Sequence, residues 1–130
     1  MGQPVRIFSS QCCVIDDSPQ YLRCIVGAGL PHQVQECYRT LAAECLRRQG
    51  KRILVIGAGG GDSTLHLAGR DAMKALAIAG MPAGFRLAVV AATPDMVDIY
   101  DTAILEAASC GMQARRFDTE EQAAAWLRTP

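Results

Sequence analysis

The chain has 130 residues, half of them apolar but only 5% aromatic, and its 13 basic residues balance 13 acidic ones. That length fits one domain over residues 1–130, able to bury roughly two-thirds of the surface its unfolded chain exposes. Zero net charge speaks against a nucleic-acid surface, and no apolar run reaches the ~18 residues of a membrane-spanning helix. The N-terminus has no basic-then-apolar targeting pattern, so the expectation is a cytoplasmic protein with neither nucleic-acid nor membrane partners. The cysteines are Cys12, Cys13, Cys24, Cys37, Cys45 and Cys110. None makes a C-x-x-C pair, and His32 and His66 stand away from them, so the spacing gives no zinc site and no metal is expected. In a reducing compartment all six are expected as free thiols, mostly small buried apolar groups. On a strand Cys12 and Cys13 would point to opposite faces, and at most one would be buried on a one-sided sheet.

In chain order, Val5 to Asp16 is an apolar run that ends in the turn signal Asp16-Asp17-Ser18-Pro19. Tyr21 to Val26 is a second β-rich run, and the two together predict an antiparallel hairpin. Leu30 to Arg48 is the clearest helix. Pro31 suits its first turn, Gly50 the position just past its end, and Val34, Cys37, Tyr38, Leu41, Cys45 and Leu46 form one apolar stripe. Ile53 to Ile56 is a buried strand, followed by Gly57-Ala58-Gly59-Gly60-Gly61 and a helical stretch from Asp62 to Ala79. Gly69 weakens that helix by roughly 1 kcal/mol, which puts its firm part from near Arg70 onward.

Phe85 to Ala92 is apolar without alternation, the pattern of a central strand covered on both faces. Thr93 then caps a third helix, Pro94 takes its first position, and Val97, Tyr100, Ile104, Leu105 and Ala108 face inward until Gly111. Met112 to Phe117 is a last strand. Asp118 with Glu121, and Thr119 with Gln122, offer two overlapping capping boxes for a final helix anchored by Trp126 and Leu127. The order β-β-α-β-α-β-α-β-α predicts an α/β fold: a mostly parallel five-stranded sheet, one strand antiparallel, with four main helices.

The glycine loop admits a ligand reading. Gly57 to Gly61 after a strand resembles the first motif of S-adenosylmethionine-dependent methyltransferases, and more loosely a dinucleotide fingerprint, since glycines let a ligand approach and the next helix start offers free N–H donors. Val55 stands where that motif carries an acid, and no acid precedes Asp95 at the end of the next strand, where a ribose-binding carboxylate belongs.

The whole order of elements, from about Tyr21 to Leu127, resembles the anti-sigma-factor antagonist (STAS) domains and their SpoIIAA-like relatives. The likeness is greatest in Arg86-Leu87-Ala88-Val89-Val90, in Gly111 to Phe117, and in Glu120-Glu121-Gln122-Ala123-Ala124-Ala125-Trp126-Leu127. STAS antagonists carry a phosphorylatable serine at the start of the helix after the third strand, and Asp62-Ser63-Thr64 falls there, which makes Ser63 the phosphorylation candidate. The glycine-rich approach and Leu65 depart from that pattern. The resemblance implies a binding or regulatory module with no catalytic residues and no cofactor. The alternative is a nucleotide- or S-adenosylmethionine-binding protein. The expected recognition surface comprises Gly57, Gly59, Gly60, Gly61, Asp62, Ser63 and Thr64, with Thr93 and Asp95 at the same sheet edge, and its partner is a protein, a small anionic ligand or a second copy of the chain. His66 lacks a nucleophile or orienting acid at fixed spacing. Asp95, Asp98 and Asp101 are accounted for by helix-start electrostatics without an ion.

Overall fold

The computed structural model describes residues 2–58 and 63–130; the side chains of residues 63–69 and 72 lie outside that description. Three strands open the chain: β1 (Val5–Ser9), β2 (Cys13–Asp17) and β3 (Leu22–Val26). Then come α1 (Pro31–Arg47), β4 (Ile53–Gly57), α2 (Ser63–Ala79), β5 (Arg86–Ala91), α3 (Asp95–Ser109), β6 (Gln113–Phe117) and α4 (Glu120–Arg128). All six strands belong to one sheet, in the order β1-β2-β3-β4-β5-β6.

The expected first strand is therefore two strands. The Ser10 N–H donates to the Cys13 carbonyl at 2.8 Å, which closes a turn inside the run and folds β1 back along β2. The turn also explains why Cys12 and Cys13 are both buried: Cys12 is in the turn rather than on a strand, so strand alternation does not apply to it. β2 pairs antiparallel with β1 and β3, while β3–β4, β4–β5 and β5–β6 pair parallel. One strand, β2, thus runs against the other five.

Helix ends follow local chemistry. Pro31 opens α1, and the Gln33 side chain reaches back to accept from the Leu30 N–H. At its other end Gly50 N–H bonds the Cys45 carbonyl and Gln49 N–H the Leu46 carbonyl, so Gln49 with φ 62° takes the left-handed position expected of a glycine. Gly111, φ 81°, takes the corresponding place after α3. α2 is helical from Ser63, through Gly69, so its first turns are regular rather than loose. The inward face of α3 is shifted in phase from the expectation: Met96, Tyr100 and Ala107 are buried, and Leu105 is 71% exposed.

Strands adjacent in sequence are adjacent in the sheet, so successive right-handed crossovers carry α1, α2 and α3 to one face. The core on that face joins Cys13, Ile15, Leu22, Cys24, Ile53, Val55, Leu87 and Val89 from the strands with side chains of all three helices. Among the described residues α4 is the helix on the opposite face, where its Ala123, Ala124 and Leu127 pack over Leu54, Ala88 and Val90. No helix among the described residues is long and apolar enough to cross a membrane.

Candidate functional site

The expected surface lies at the C-terminal edge of the parallel strands, and the described part of it does come together. Gly57 ends β4 opposite Ala91 of β5, and the Ala92 N–H donates to the Gly57 carbonyl at 2.8 Å. The Ala58 N–H donates to the Val26 carbonyl at 2.8 Å, tying in the end of β3. Thr93 follows directly, and Asp95 opens α3. Gly59, Gly60, Gly61 and Asp62 fall outside the described residues. Ser63 and Thr64 begin α2, which puts their backbone at this edge, but their side chains, like that of His66, are not described.

Gly57 has a packing reason to be glycine. A Cβ there would run into the Tyr100 hydroxyl, with ring carbons 2.7 Å away. Tyr100 in turn meets the Tyr38 hydroxyl at 3.5 Å in the interior. Burial pushes the Tyr38 phenol well above its ordinary pKa, against the opposing pull of the Tyr100 hydrogen bond; burial, then the nearby Tyr38 charge, does the same to Tyr100. Both phenols stay neutral at physiological pH, which excludes them as bases.

Thr93 does not cap α3 through its side chain as expected. Its Oγ1 is sealed from solvent and has no hydrogen-bond partner among the described residues, while its carbonyl accepts from Met96 N–H at 3.1 Å. A buried hydroxyl left unpaired costs about 1–3 kcal/mol. The surroundings differ in charge. α3 carries Asp95 and Asp98 in its first turn, and α4 carries Glu120 and Glu121, whereas α2 has no acidic residue there. α1 likewise has none, and Asp62, immediately before Ser63, lies outside the described residues. The β5 loop leads to α3 on one face of the sheet and the β6 loop to α4 on the other. Asp101 pairs with Arg116 at 2.7 Å, and Arg116 also faces Asp118 at 3.5 Å.

A second cluster was not visible in the sequence. Cys13 and Cys37 are joined by a disulfide, contrary to the expectation of six free thiols, and Cys24 lies beside both. Burial pushes the Cys24 thiol up to about 12 and the Cys45 thiol to about 11, so neither is a nucleophile at neutral pH. The separations, 11 and 13 residues, match no linear motif. The signal that existed was parity: Cys13 and Cys24 share the inward face of paired strands, and Cys37 is on the α1 stripe that covers it.

The α4 face carries a different chemistry. Arg23 grips both oxygens of Glu120 at 2.5 and 2.9 Å, and Asp16 bridges Arg23 to Arg6. Asp16, Arg23 and Glu120 line a cleft of about 400 Å³ with Tyr21 and Arg128. The Arg23 hydrogen bond holds the Glu120 carboxyl below its usual pKa despite opposing burial. Where β4 and β5 begin, Arg52 and Arg86 donate to the carbonyls of Leu127, Trp126 and Thr129, capping α4. Comparison of the chain with protein-family models, curated proteins and solved structures finds no match.

Proposed function

We propose that the protein is a non-enzymatic binding module whose recognition surface is the C-terminal edge of β4 and β5, and that the group recognised there is an anion. The anion is either carried by a partner or small ligand or made in place as phosphate on Ser63. The observation that carries this reading is the buried Thr93 hydroxyl, a donor without a partner among the described residues, at an edge shared with the start of α2. The free N–H groups at a helix start attract negative charge. Phosphate on Ser63 adds about 1.5 to 2 negative charges, tolerated at a helix start but repelled by an acidic partner, so one modification suffices as a switch. The order of elements from β3 onward supports kinship with STAS and SpoIIAA-like modules; the extra strand β1 and the glycine loop set this chain apart from them.

Partner capture from the source cell tests the proposal, with wild type, Ser63→Asp and Thr93→Val as baits. The wild type is expected to recover a specific protein, Ser63→Asp to change that recovery, and Thr93→Val to weaken it while thermal unfolding stays within a few degrees. Identical recovery of a specific protein by all three baits would remove the edge from consideration as its binding site, and no recovery by any would exclude a protein partner there.

A further inference from the structure

Three cysteines distant in sequence meet at one point of the core. Cys13 on β2, Cys24 on β3 and Cys37 on α1 hold sulfur atoms that all lie within 4.8 Å of one another, and all three residues are buried. Cys24 Sγ is 3.7 Å from Cys37 Sγ and 4.0 Å from Cys13 Sγ. A tetrahedral zinc ion with Zn–S bonds of about 2.3 Å requires sulfurs about 3.8 Å apart. Two edges of the triangle already have that length; the third is closed as the Cys13–Cys37 disulfide. We propose that Cys13, Cys24 and Cys37 are the ligands of a thiolate zinc site, and that the disulfide is its oxidised, metal-free form.

The two forms interconvert by balanced steps. A dithiol reductant gives two electrons and two protons to the Cys13–Cys37 bond and leaves as its own disulfide; one S–S bond breaks, one forms, and two thiols result. Hydrated Zn(II) then displaces the three thiol protons and forms three Zn–S bonds, keeping one of its own water molecules as the fourth ligand, with no change of oxidation state. The donor set selects the ion. It is sulfur alone, without carboxylate or imidazole in the group, and so favours a thiophilic cation over magnesium or calcium. Charge selects further. Three thiolates on a divalent ion leave one net negative charge, on a monovalent ion two, and the surrounding Ile15, Leu22, Val26 and Val34 make the smaller charge cheaper to bury. The neighbouring thiols are engaged elsewhere: Cys12 Sγ lies 3.9 Å from Ser10 Oγ, and Cys45 donates to the Lys51 carbonyl at 3.3 Å. A disulfide needs only two of the three residues, whereas the metal site accounts for Cys24 as well.

The test uses the full chain, reduced with a dithiol and titrated with Zn(II) under native mass spectrometry. One zinc per reduced chain is expected, and none on the oxidised chain. Zinc should shield Cys13, Cys24 and Cys37 from alkylation while the exposed Cys110 stays reactive. Co(II) in place of zinc should show intense thiolate-to-metal charge-transfer absorption. Cys24→Ser keeps the Cys13–Cys37 disulfide and hence the oxidised fold, followed by Trp126 fluorescence, but should bind zinc about 100-fold or more weakly when reduced. Zinc binding by wild type no tighter than by Cys24→Ser, or shielding that falls on other cysteines, would overturn the assignment.

Discussion

The two faces of the sheet are closed by different means. On the α1–α3 face, three helices seal a core whose polar groups are held neutral: Tyr38, Tyr100 and Cys24 all have raised pKa values, with burial the largest cause. On the other face α4 covers the β4–β6 half, and the rest is finished by the chain of charges Arg6–Asp16–Arg23–Glu120. On β3, Cys24 faces the core between Arg23 and Ile25, which face outward. Where helix is lacking, arginine stems cover apolar surface while their heads remain paired and wet. The sealed face stores its stability in packing, the other partly in ionisation.

The largest effect expected from breaking this arrangement is at Leu54, fully buried under α4. Leu54→Ala should cost about 3 kcal/mol, read by urea unfolding with Trp126 fluorescence, because even the one-helix face depends on packing beneath α4. Gly57→Val should cost about 2–3 kcal/mol by forcing Tyr100 from its place, and Gly57→Val with Tyr100→Ala should cost less than the two single changes added together. Additive costs would mean that the two residues do not meet as described.

The pH limits should separate the faces. A phenol with a raised folded-state pKa gives stability that is fully present below about pH 10 and is lost as pH rises from there toward the folded value. Tyr38→Phe should therefore flatten the alkaline loss. Glu120, with its pKa lowered first by the Arg23 hydrogen bond, gives stability that is present above about pH 4.3 and is lost as pH falls through the folded value. Glu120→Gln should trim the acid loss without removing it. Burial works against the Asp17 and Glu44 carboxylates, but hydrogen bonds from Lys51 and Arg48 to the first, and from Arg47 and Arg48 to the second, still leave both with lowered pKa values. The smallest effect belongs to Arg23→Gln at neutral pH. Its partner Glu120 is 40% exposed, so the change should cost about 1 kcal/mol or less and weaken further in salt.

The elements from β3 to α4 were legible because their signals are local: Pro31 at a helix start, Gly111 at a helix end, Thr119 accepting from Gln122 N–H at 3.2 Å. The extra strand was missed because Ser9-Ser10-Gln11 carries neither glycine nor proline, and its turn is made by one backbone hydrogen bond to Cys13. The cysteine cluster depends on the register of β2 against β3, Ile15 opposite Cys24, and on which stretch of α1 lies above, neither of which is written at fixed spacing. At the sheet edge, sequence brought Gly57, Thr93 and Asp95 together correctly through parallel strand direction. It read Thr93 as a helix cap, and only the three-dimensional arrangement leaves that hydroxyl without a partner among the described residues.

The central claim is that the C-terminal strand edge, and neither the sealed face nor the charged one, receives an anion. Backbone amide chemical shifts recorded while inorganic phosphate is added test it directly. The account predicts saturable shifts at Gly57, Ala58, Ser63, Thr93 and Met96, reduced in Thr93→Val, with Arg23, Glu120 and Arg128 unmoved. Shifts confined to the Arg23–Arg128 cleft, or none at the edge at any concentration that leaves the fold intact, would contradict it.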